Sequence, residues 1–337
     1  MAILDKRLDK FKDDEALNLG LMSLIRKVHG LVENNDIGKH RQSQNQLGVV
    51  FGNNKDIQIT DVSIDGMAAE WVSVTRAHMK KTVIFYCHGG GFSTGSRLYA
   101  RTLTTKLAAS TSMDVLCFDY RLAPEHPYPA ACEDAERAWD YLMLLGYGAR
   151  DIIVAGDSAG GNLALTLVLK LKSQGRLLPR GLVLMSPWTD MTMAGKSYDT
   201  KAKIDPVLSK EYIKTMIDNY LCGGHAIKEP HGQATEPREL IAQEMVFPAP
   251  AVPDLTDPTI SPLFGDFTGF PPTCIQVGEN EILLNDATSL YKKLLKADVP
   301  ARIAVQKGMW HVYQMSPFRV AYDAMERNAE FIFDICR

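Results

Sequence analysis

The sequence from residue 151 to residue 162 reads DIIVAGDSAGGN, with Ser158 near its centre. The apolar run from Ile152 to Gly156 predicts a buried strand, and the residues after it predict a tight turn and a helix start. Glycines are expected on both sides of such a serine, because a Cβ two residues away would collide with the neighbouring strand or helix. The pattern therefore predicts that Ser158 presents its hydroxyl at a sheet edge, with the positive end of the helix behind it.

The same G-x-S-x-G pattern occurs a second time, as GFSTG at residues 91–95. Five residues separate Ser93 from the end of the preceding predicted strand at Cys87, and no helix is predicted directly after Gly95. A nucleophilic serine needs the strand, turn and helix around it. We therefore predict that Ser158 is the nucleophile and that Ser93 is a chance match.

A run of three glycines, HGGGF at residues 88–92, directly follows a predicted buried strand. Peptide N–H groups in such a run can approach a substrate oxygen without obstruction by side chains, as the stabilisation of a tetrahedral oxyanion requires. The amides of Gly90, Gly91 and Ala159 are the predicted donors. A phosphate-binding loop is the rival interpretation, but neither GxxxxGK[ST] nor GxGxxG is present; a plain tight turn is the remaining alternative.

The general base follows the nucleophile if the chain order is Ser, acid, His. Only His311 lies in a short loop after the last predicted strand and before a helix. His225 and His231 also follow Ser158, but they fall in an inserted segment and their six-residue spacing matches no common zinc site. His311 is therefore the predicted base, and no metal site is predicted.

Three carboxylates just after the predicted strand Thr273–Val277 are candidates for the acid. Glu281 comes soon after the strand and thirty residues before His311, so we favour it. Asp286 is expected to begin the next helix, where a carboxylate serves as a cap. Glu279 is expected to face solvent.

The rest of the chain alternates between short apolar runs and helix-length segments. The runs, each predicted to be a strand buried on both faces, are Thr82–Cys87, Met113–Asp119, Ile152–Gly156, Leu182–Ser186, Thr273–Val277 and Ala301–Gln306. The predicted helices are Tyr99–Ala109, Ala131–Leu145, Asn162–Lys172, Asp286–Ala297 and Phe318–Ile335. This order predicts an α/β fold with a mostly parallel central sheet and helices on both faces.

Three segments depart from that alternation. Two alternating runs between Ile57 and Thr75 predict a hairpin that turns at Asp65-Gly66, and one phase shift in each run suggests a bulge. Residues 2–32 predict two amphipathic helices, which we expect to form a packed lid rather than to lie on a membrane. Residues 191–256, with a predicted helix at Tyr212–Leu221 and a Gly- and Pro-rich segment, predict a lid insertion. The expected division is 1–50, N-terminal lid helices; 51–190 and 257–337, catalytic core; and 191–256, lid insertion.

Composition and charge restrict the partners and the compartment. Among 337 residues, 37 Lys and Arg oppose 40 Asp and Glu, so the net charge of −3 argues against a nucleic-acid partner. Six scattered cysteines without a CxxC pair indicate buried thiols in a reducing compartment. Neither a signal peptide nor an apolar run long enough to cross a membrane is recognisable, so we expect a cytoplasmic protein without stable membrane insertion.

Together these motifs resemble the hormone-sensitive-lipase-like branch of the α/β-hydrolase carboxylesterases. The resemblance runs from about Val83 to Tyr313, and its motifs are HGGG at residues 88–91, DYRLAPE at 119–125, GDSAG at 156–160, SPWTD at 186–190 and DPTISPL at 257–263. It implies that Ser158 is the nucleophile and that Gly90 and Gly91 serve the oxyanion hole. The family's acid usually lies in an Asp-Pro-Leu motif, and Glu281-Ile-Leu occupies that place here. The family often forms homodimers.

The predicted function is therefore a serine carboxylesterase that hydrolyses short to medium acyl esters through an acyl-enzyme, without a cofactor. Because His311 must be neutral to act as a base, activity is expected to fall as the pH drops through about 6 to 7. An amidase or deacetylase with the same triad is the nearest alternative. A non-catalytic small-molecule receptor on the same fold is the alternative from another class.

Overall fold

The central element of the protein is one sheet. The computed structural model describes residues 22, 37–78, 81–224 and 253–337. In these residues the strands are β1 (Ile57–Ile64), β2 (Met67–Val74), β3 (Val83–Cys87), β4 (Asp114–Phe118), β5 (Ile152–Asp157), β6 (Gly181–Met185), β7 (Thr273–Gly278) and β8 (Ala301–Gln306). The spatial order is β1-β2-β4-β3-β5-β6-β7-β8, with β2 antiparallel to both of its neighbours and all other pairs parallel. The predicted mostly parallel sheet is confirmed.

Helices cover both faces of this sheet, as predicted. They are α1 (Ile37–Phe51), α2 (Arg97–Thr111), α3 (Ala130–Leu144), α4 (Ala159–Ser173), α5 (Ser197–Thr200), α6 (Lys210–Cys222), α7 (Leu284–Lys296) and α8 (Arg319–Cys336). Apolar residues of α3, α4, α6 and α7 pack into one core cluster, and those of α2 and α8 pack into a second. Six of the helices match predicted segments to within three residues at each end. The two helices predicted in residues 2–32 lie outside the described residues, position 22 excepted.

The predicted hairpin is present, but its predicted bulges are not. Asp65 and Gly66 form the turn, both with positive φ, and the pairing of β1 with β2 runs without interruption. The phase shift in β1 has a different cause. Ile59 packs into the cluster under α2 and α8, whereas Val62 packs into the cluster on the opposite face. The strand therefore buries a different face in each half, and no extra residue is needed.

The prediction that β8 is buried on both faces is wrong. No residue of β8 is fully buried, and the Val305 side chain is 47% exposed. β8 is the last strand in the sheet order, so only β7 pairs with it in the described residues.

All six cysteines are free thiols. Cys87, Cys117 and Cys274 are buried and the other three are half-buried, so the expectation that the thiols are buried holds for three of the six.

The parallel strands all end at the same edge of the sheet. The loops that leave β3, β5, β7 and β8 at this edge carry the glycine run, Ser158, Glu281 and His311 respectively. In open α/β sheets the carboxyl ends of the strands are where ligands bind. Residues that are distant in the sequence are thus brought to one cleft.

Candidate active site

Ser158 lies in the turn between β5 and α4, in the region of backbone conformation that favours glycine. Its φ is 52° and its ψ is −121°, and its amide donates to the carbonyl of Met185 on the neighbouring strand. A Cβ on Gly156 would lie 2.4 Å from the Gly160 carbonyl oxygen, and one on Gly160 would lie 2.1 Å from that of Cys87. The expected reason for both glycines is confirmed, because any side chain there would collide with backbone.

A chain of hydrogen bonds links Ser158 to two residues from far downstream. The Oγ of Ser158 lies 3.0 Å from Nε2 of His311, and Nδ1 of His311 lies 2.7 Å from Oε2 of Glu281. All three side chains are buried. With the imidazole proton on Nδ1, where the carboxylate accepts it, Nε2 is left to accept the proton of the serine hydroxyl. The predicted nucleophile, base and favoured acid are therefore in contact.

The surroundings of His311 favour its protonated form. Burial, the largest influence, opposes the charged imidazolium. The hydrogen bond and charge of Glu281, assisted by the charges of Asp205 and Asp157, outweigh burial and raise the pKa of His311 above its ordinary value of 6.5. A base of this kind holds a transferred proton readily.

Glu281 is held by a residue that the sequence analysis did not single out. The Ser186 hydroxyl donates to Oε1 of Glu281 at 2.9 Å and accepts from the amide of Val312 at 3.0 Å. The amide of Gly278 also donates to Oε1. Ser186 therefore ties the acid to the residue that follows His311. It lies in the SPWTD motif, which was noted for its resemblance only.

The other two candidate acids do not approach His311. Oδ2 of Asp286 accepts from the amides of Thr189 and Asp190 at 2.8 and 2.9 Å, and burial raises its pKa well above the ordinary value. The expectation that Asp286 begins and caps its helix is wrong: α7 begins at Leu284 and has no side-chain cap, because the carboxylate points to the loop after β6. Glu279, expected to face solvent, is half-buried and accepts from the amide of Gly308.

The three amides expected to bind an oxyanion remain available. Within the described residues, the N–H groups of Gly90, Gly91 and Ala159 have no acceptor. Gly90 and Gly91 have φ values of 113° and 61°, and both line the same cavity as Ser158. The preceding amide, of Gly89, donates to Oδ1 of Asp157 at 2.9 Å. This bond joins the glycine loop to the residue before Ser158.

The cavity beside Ser158 has a volume of about 460 Å³, within the usual range for small-molecule sites. Its apolar walls come from α1, α6 and the loops around the site, and include Phe51, Trp188, Leu208, Met216 and Phe318. No Asp, Glu, Lys or Arg is among the described residues that line it. The cavity therefore fits an uncharged, apolar group next to the serine.

Two further features of the described residues bear on metal binding and on membrane insertion. His225 and His231 lie outside the described residues. In the part of the chain that the structure covers, no three His, Cys, Asp or Glu side chains are grouped as metal ligands would be. Each helix in that part is too short or too polar to cross a lipid bilayer.

Comparison with known proteins identifies the family. The model of a family described as having the alpha/beta hydrolase fold matches residues 84–240 and 234–315, more than half of the chain. An esterase of Acinetobacter venetianus is 37% identical over 288 residues, which are 85% of each chain. An acetyl-hydrolase of Streptomyces hygroscopicus is 31% identical over 87% of this chain and 88% of its own.

Solved structures agree. A hormone-sensitive lipase from a metagenome library has a TM-score of 0.82 at 29% identity, covering 96% of this chain and 99% of that one. An esterase of the bacterial hormone-sensitive lipase family has a TM-score of 0.79 at 30% identity, covering 94% and 97%. The chain therefore belongs to the α/β-hydrolase family, within its hormone-sensitive-lipase-like branch of carboxylesterases.

Proposed function

We propose that the protein is a serine carboxylesterase that hydrolyses short to medium acyl esters through an acyl-enzyme. The observation that carries the proposal is the contact of Ser158 with His311, and of His311 with Glu281, beside an apolar cavity. A serine hydroxyl is a weak nucleophile unless a neighbouring base removes its proton. His311, whose Nε2 lies 3.0 Å from Oγ of Ser158, is that base.

In the first half of the reaction His311 takes the proton of Ser158 while Oγ attacks the ester carbonyl. Glu281 stabilises the imidazolium through its 2.7 Å contact with Nδ1. The carbonyl oxygen becomes an oxyanion, which the amides of Gly90, Gly91 and Ala159 bind. When the tetrahedral intermediate collapses, His311 gives its proton to the departing alcohol, and the acyl group stays on Ser158.

The second half repeats these steps with water. His311 removes a proton from a water molecule, whose oxygen attacks the acyl-enzyme, and the same amides bind the second oxyanion. Return of the proton to Ser158 releases the carboxylic acid. His311 gives back each proton that it accepts. One imidazole therefore serves both halves of the reaction, and no cofactor is needed.

The apolar cavity sets the expected substrate range. Its volume of about 460 Å³ suits an acyl group of short to medium length, and its lack of charged lining residues disfavours charged substrates. Burial of each further CH₂ in such a cavity contributes about 0.8 kcal/mol, until the chain no longer fits. Activity is therefore expected to rise with acyl length and then to fall.

A series of p-nitrophenyl esters from acetate to palmitate tests this range. The proposal expects kcat/KM to peak between butyrate and octanoate and to fall by at least tenfold at palmitate. The butyryl p-nitroanilide, measured in parallel, should react at least a hundredfold more slowly than the butyrate ester. A maximum at palmitate would contradict the acyl range, and faster anilide cleavage would favour the amidase. Binding of esters without any release of p-nitrophenol above a protein-free blank would favour a receptor.

A further inference from the structure

Two side chains from the segment after β6 form hydrogen bonds with the loop that carries Glu281. The amide of Ile282, the next residue, donates to Oδ2 of Asp205 at 2.8 Å. The carbonyl of Ile282 accepts from the Ser197 hydroxyl at 2.6 Å. Both polar backbone groups of the residue after the acid are thus held by side chains from residues 197–205.

Asp205 also holds a wall of the cavity. Its Oδ1 accepts from the amides of Val207 and Leu208 at 2.8 and 3.0 Å. Val207 and Leu208 both line the cavity beside Ser158. One carboxylate, only 3% exposed, therefore connects the cavity wall with the loop of Glu281.

The charge of Asp205 acts on His311 as well. The negative charges of Glu281, Asp205 and Asp157 all favour the protonated imidazole. Burial raises the pKa of Asp205 to about 6. The charge of His311 and the hydrogen bonds that Asp205 accepts from three backbone amides act in the opposite direction, but they do not outweigh burial. At pH 7 Asp205 is therefore mostly ionised, and it loses its charge as the pH falls through about 6.

We propose that Asp205 is a positioning residue of this hydrolase: it fixes the Glu281 loop against the cavity wall, and its negative charge stabilises the imidazolium that forms on His311 during turnover. The inference rests on the proposed function, because the imidazolium forms only if His311 acts as the base. Asp205 lies in a segment that the sequence predicts to be a lid, outside every motif. Nothing in the pattern around it indicates a role at the triad.

A pair of variants separates the charge from the contact. Asp205→Asn removes the negative charge and one acceptor. Ser197→Ala removes no charge, but it breaks the contact to the same residue, Ile282, and the hydrogen bond that the Ser197 hydroxyl accepts from the amide of Asn285 at 2.9 Å. We expect the Asp205→Asn variant to lose about tenfold in kcat on p-nitrophenyl butyrate. The midpoint of the acid limb of its kcat/KM profile should move down by about 0.5 to 1 pH unit, since an imidazolium with one fewer negative neighbour loses its proton more readily.

Two further variants complete the test. Asp205→Glu keeps the charge and should keep the midpoint of the wild type. Asp205→Ser keeps an acceptor for the neighbouring amides without a charge, and serves as the neutral variant if Asp205→Asn does not fold. Ser197→Ala should lower the rate and leave the midpoint unchanged.

An unchanged midpoint in the neutral variants, with a rate loss like that of Ser197→Ala, would overturn the inference by reducing Asp205 to a structural contact. Reaction of the wild type with diethyl p-nitrophenyl phosphate distinguishes this failure from a failure of the proposed function. If the midpoint is unchanged in the neutral variants, but Ser158 is labelled and the kcat/KM of the wild type falls at low pH, only the proposed role of Asp205 is refuted. If Ser158 is not labelled, the proposed function falls, and the role of Asp205 with it.

Discussion

Two pentapeptides of this chain share the G-x-S-x-G pattern, yet the fold places their serines in opposite environments. The Ser158 hydroxyl lies 3.0 Å from His311 at the wall of a cavity. The Ser93 side chain is fully buried, its hydroxyl has no partner among the described residues, and its backbone carbonyl accepts from Arg41 at 2.8 Å. The pattern alone therefore does not determine the chemistry of its serine.

The position relative to the strand makes the difference. Ser158 directly follows the last residue of β5, whereas five residues separate Ser93 from the end of β3. The helix is a weaker criterion than the sequence suggested, because α2 begins at Arg97, two residues after Gly95. Both motifs thus precede a helix, and only the one directly on a strand end points its serine into the cleft.

The largest effect should come from removing each serine hydroxyl in turn. Ser158→Ala should lower kcat on p-nitrophenyl butyrate by at least about 10⁴-fold, because without the nucleophile no acyl-enzyme forms. Ser93→Ala should stay within about twofold of the wild type, because that hydroxyl reaches neither substrate nor base. Steady-state kinetics of both variants, with circular dichroism as a check on folding, measure the difference. A larger loss in Ser93→Ala would reverse the assignment.

The two buried acids offer the next test. Glu281→Gln should lower kcat by about 10³- to 10⁴-fold, since the amide neither stabilises the imidazolium nor fixes the tautomer. The carboxylate of Asp286 accepts hydrogen bonds from the loop after β6 and not from His311. Asp286→Asn should therefore keep activity within about tenfold of the wild type. Equal losses in kcat would show that the hydrogen bond to His311 does not single out Glu281.

Glycines with positive φ provide a third comparison. A Cβ at Gly90 would lie 2.2 Å from the carbonyl oxygen of Thr94, so Gly90→Ala should displace the loop and cost about 10²- to 10³-fold in kcat, as loss of an oxyanion donor does. Gly66, in the β1–β2 turn, also has positive φ but has open space around it. Gly66→Ala should cost about 1 to 2 kcal/mol of stability and leave kcat unchanged. Similar kcat values for the two variants would remove Gly90 from the oxyanion hole.

The smallest predicted effect is a shift in pH dependence. Because Glu281 and its neighbours raise the pKa of His311, and only the neutral imidazole can accept a proton, kcat/KM should fall with decreasing pH around a midpoint above 6.5. Glu281→Gln should move the midpoint of its residual activity downward, as the imidazolium loses its main partner. A wild-type profile that stays flat down to about pH 5 would exclude His311 as the base.

Much of this arrangement follows from local sequence. Strand β5, the turn at Ser158 and helix α4 were predictable because a short apolar run, two obligatory glycines and a helical period adjoin one another. Chain order and the distance from predicted strand ends point to His311 and Glu281, and the fold brings both residues to the site of Ser158.

The remaining features depend on how distant segments meet. Ser186 and Asp205 act through Glu281 and Ile282, about 95 and 77 positions further along the chain, and a lone polar residue in a loop gives no sign of such a partner. The exposure of β8 follows from its place at the sheet edge, which the apolar run does not encode. The phase shift in β1 has the same origin, since it records which helices cover each half of the strand.

The most direct test of the account is the site of covalent reaction with diethyl p-nitrophenyl phosphate, mapped by peptide mass spectrometry. We expect one diethylphosphoryl group per chain, on Ser158, with p-nitrophenol released in equal amount and esterase activity lost in proportion. Phosphorylation of Ser93 or of any other side chain, with Ser158 unmodified, would contradict it.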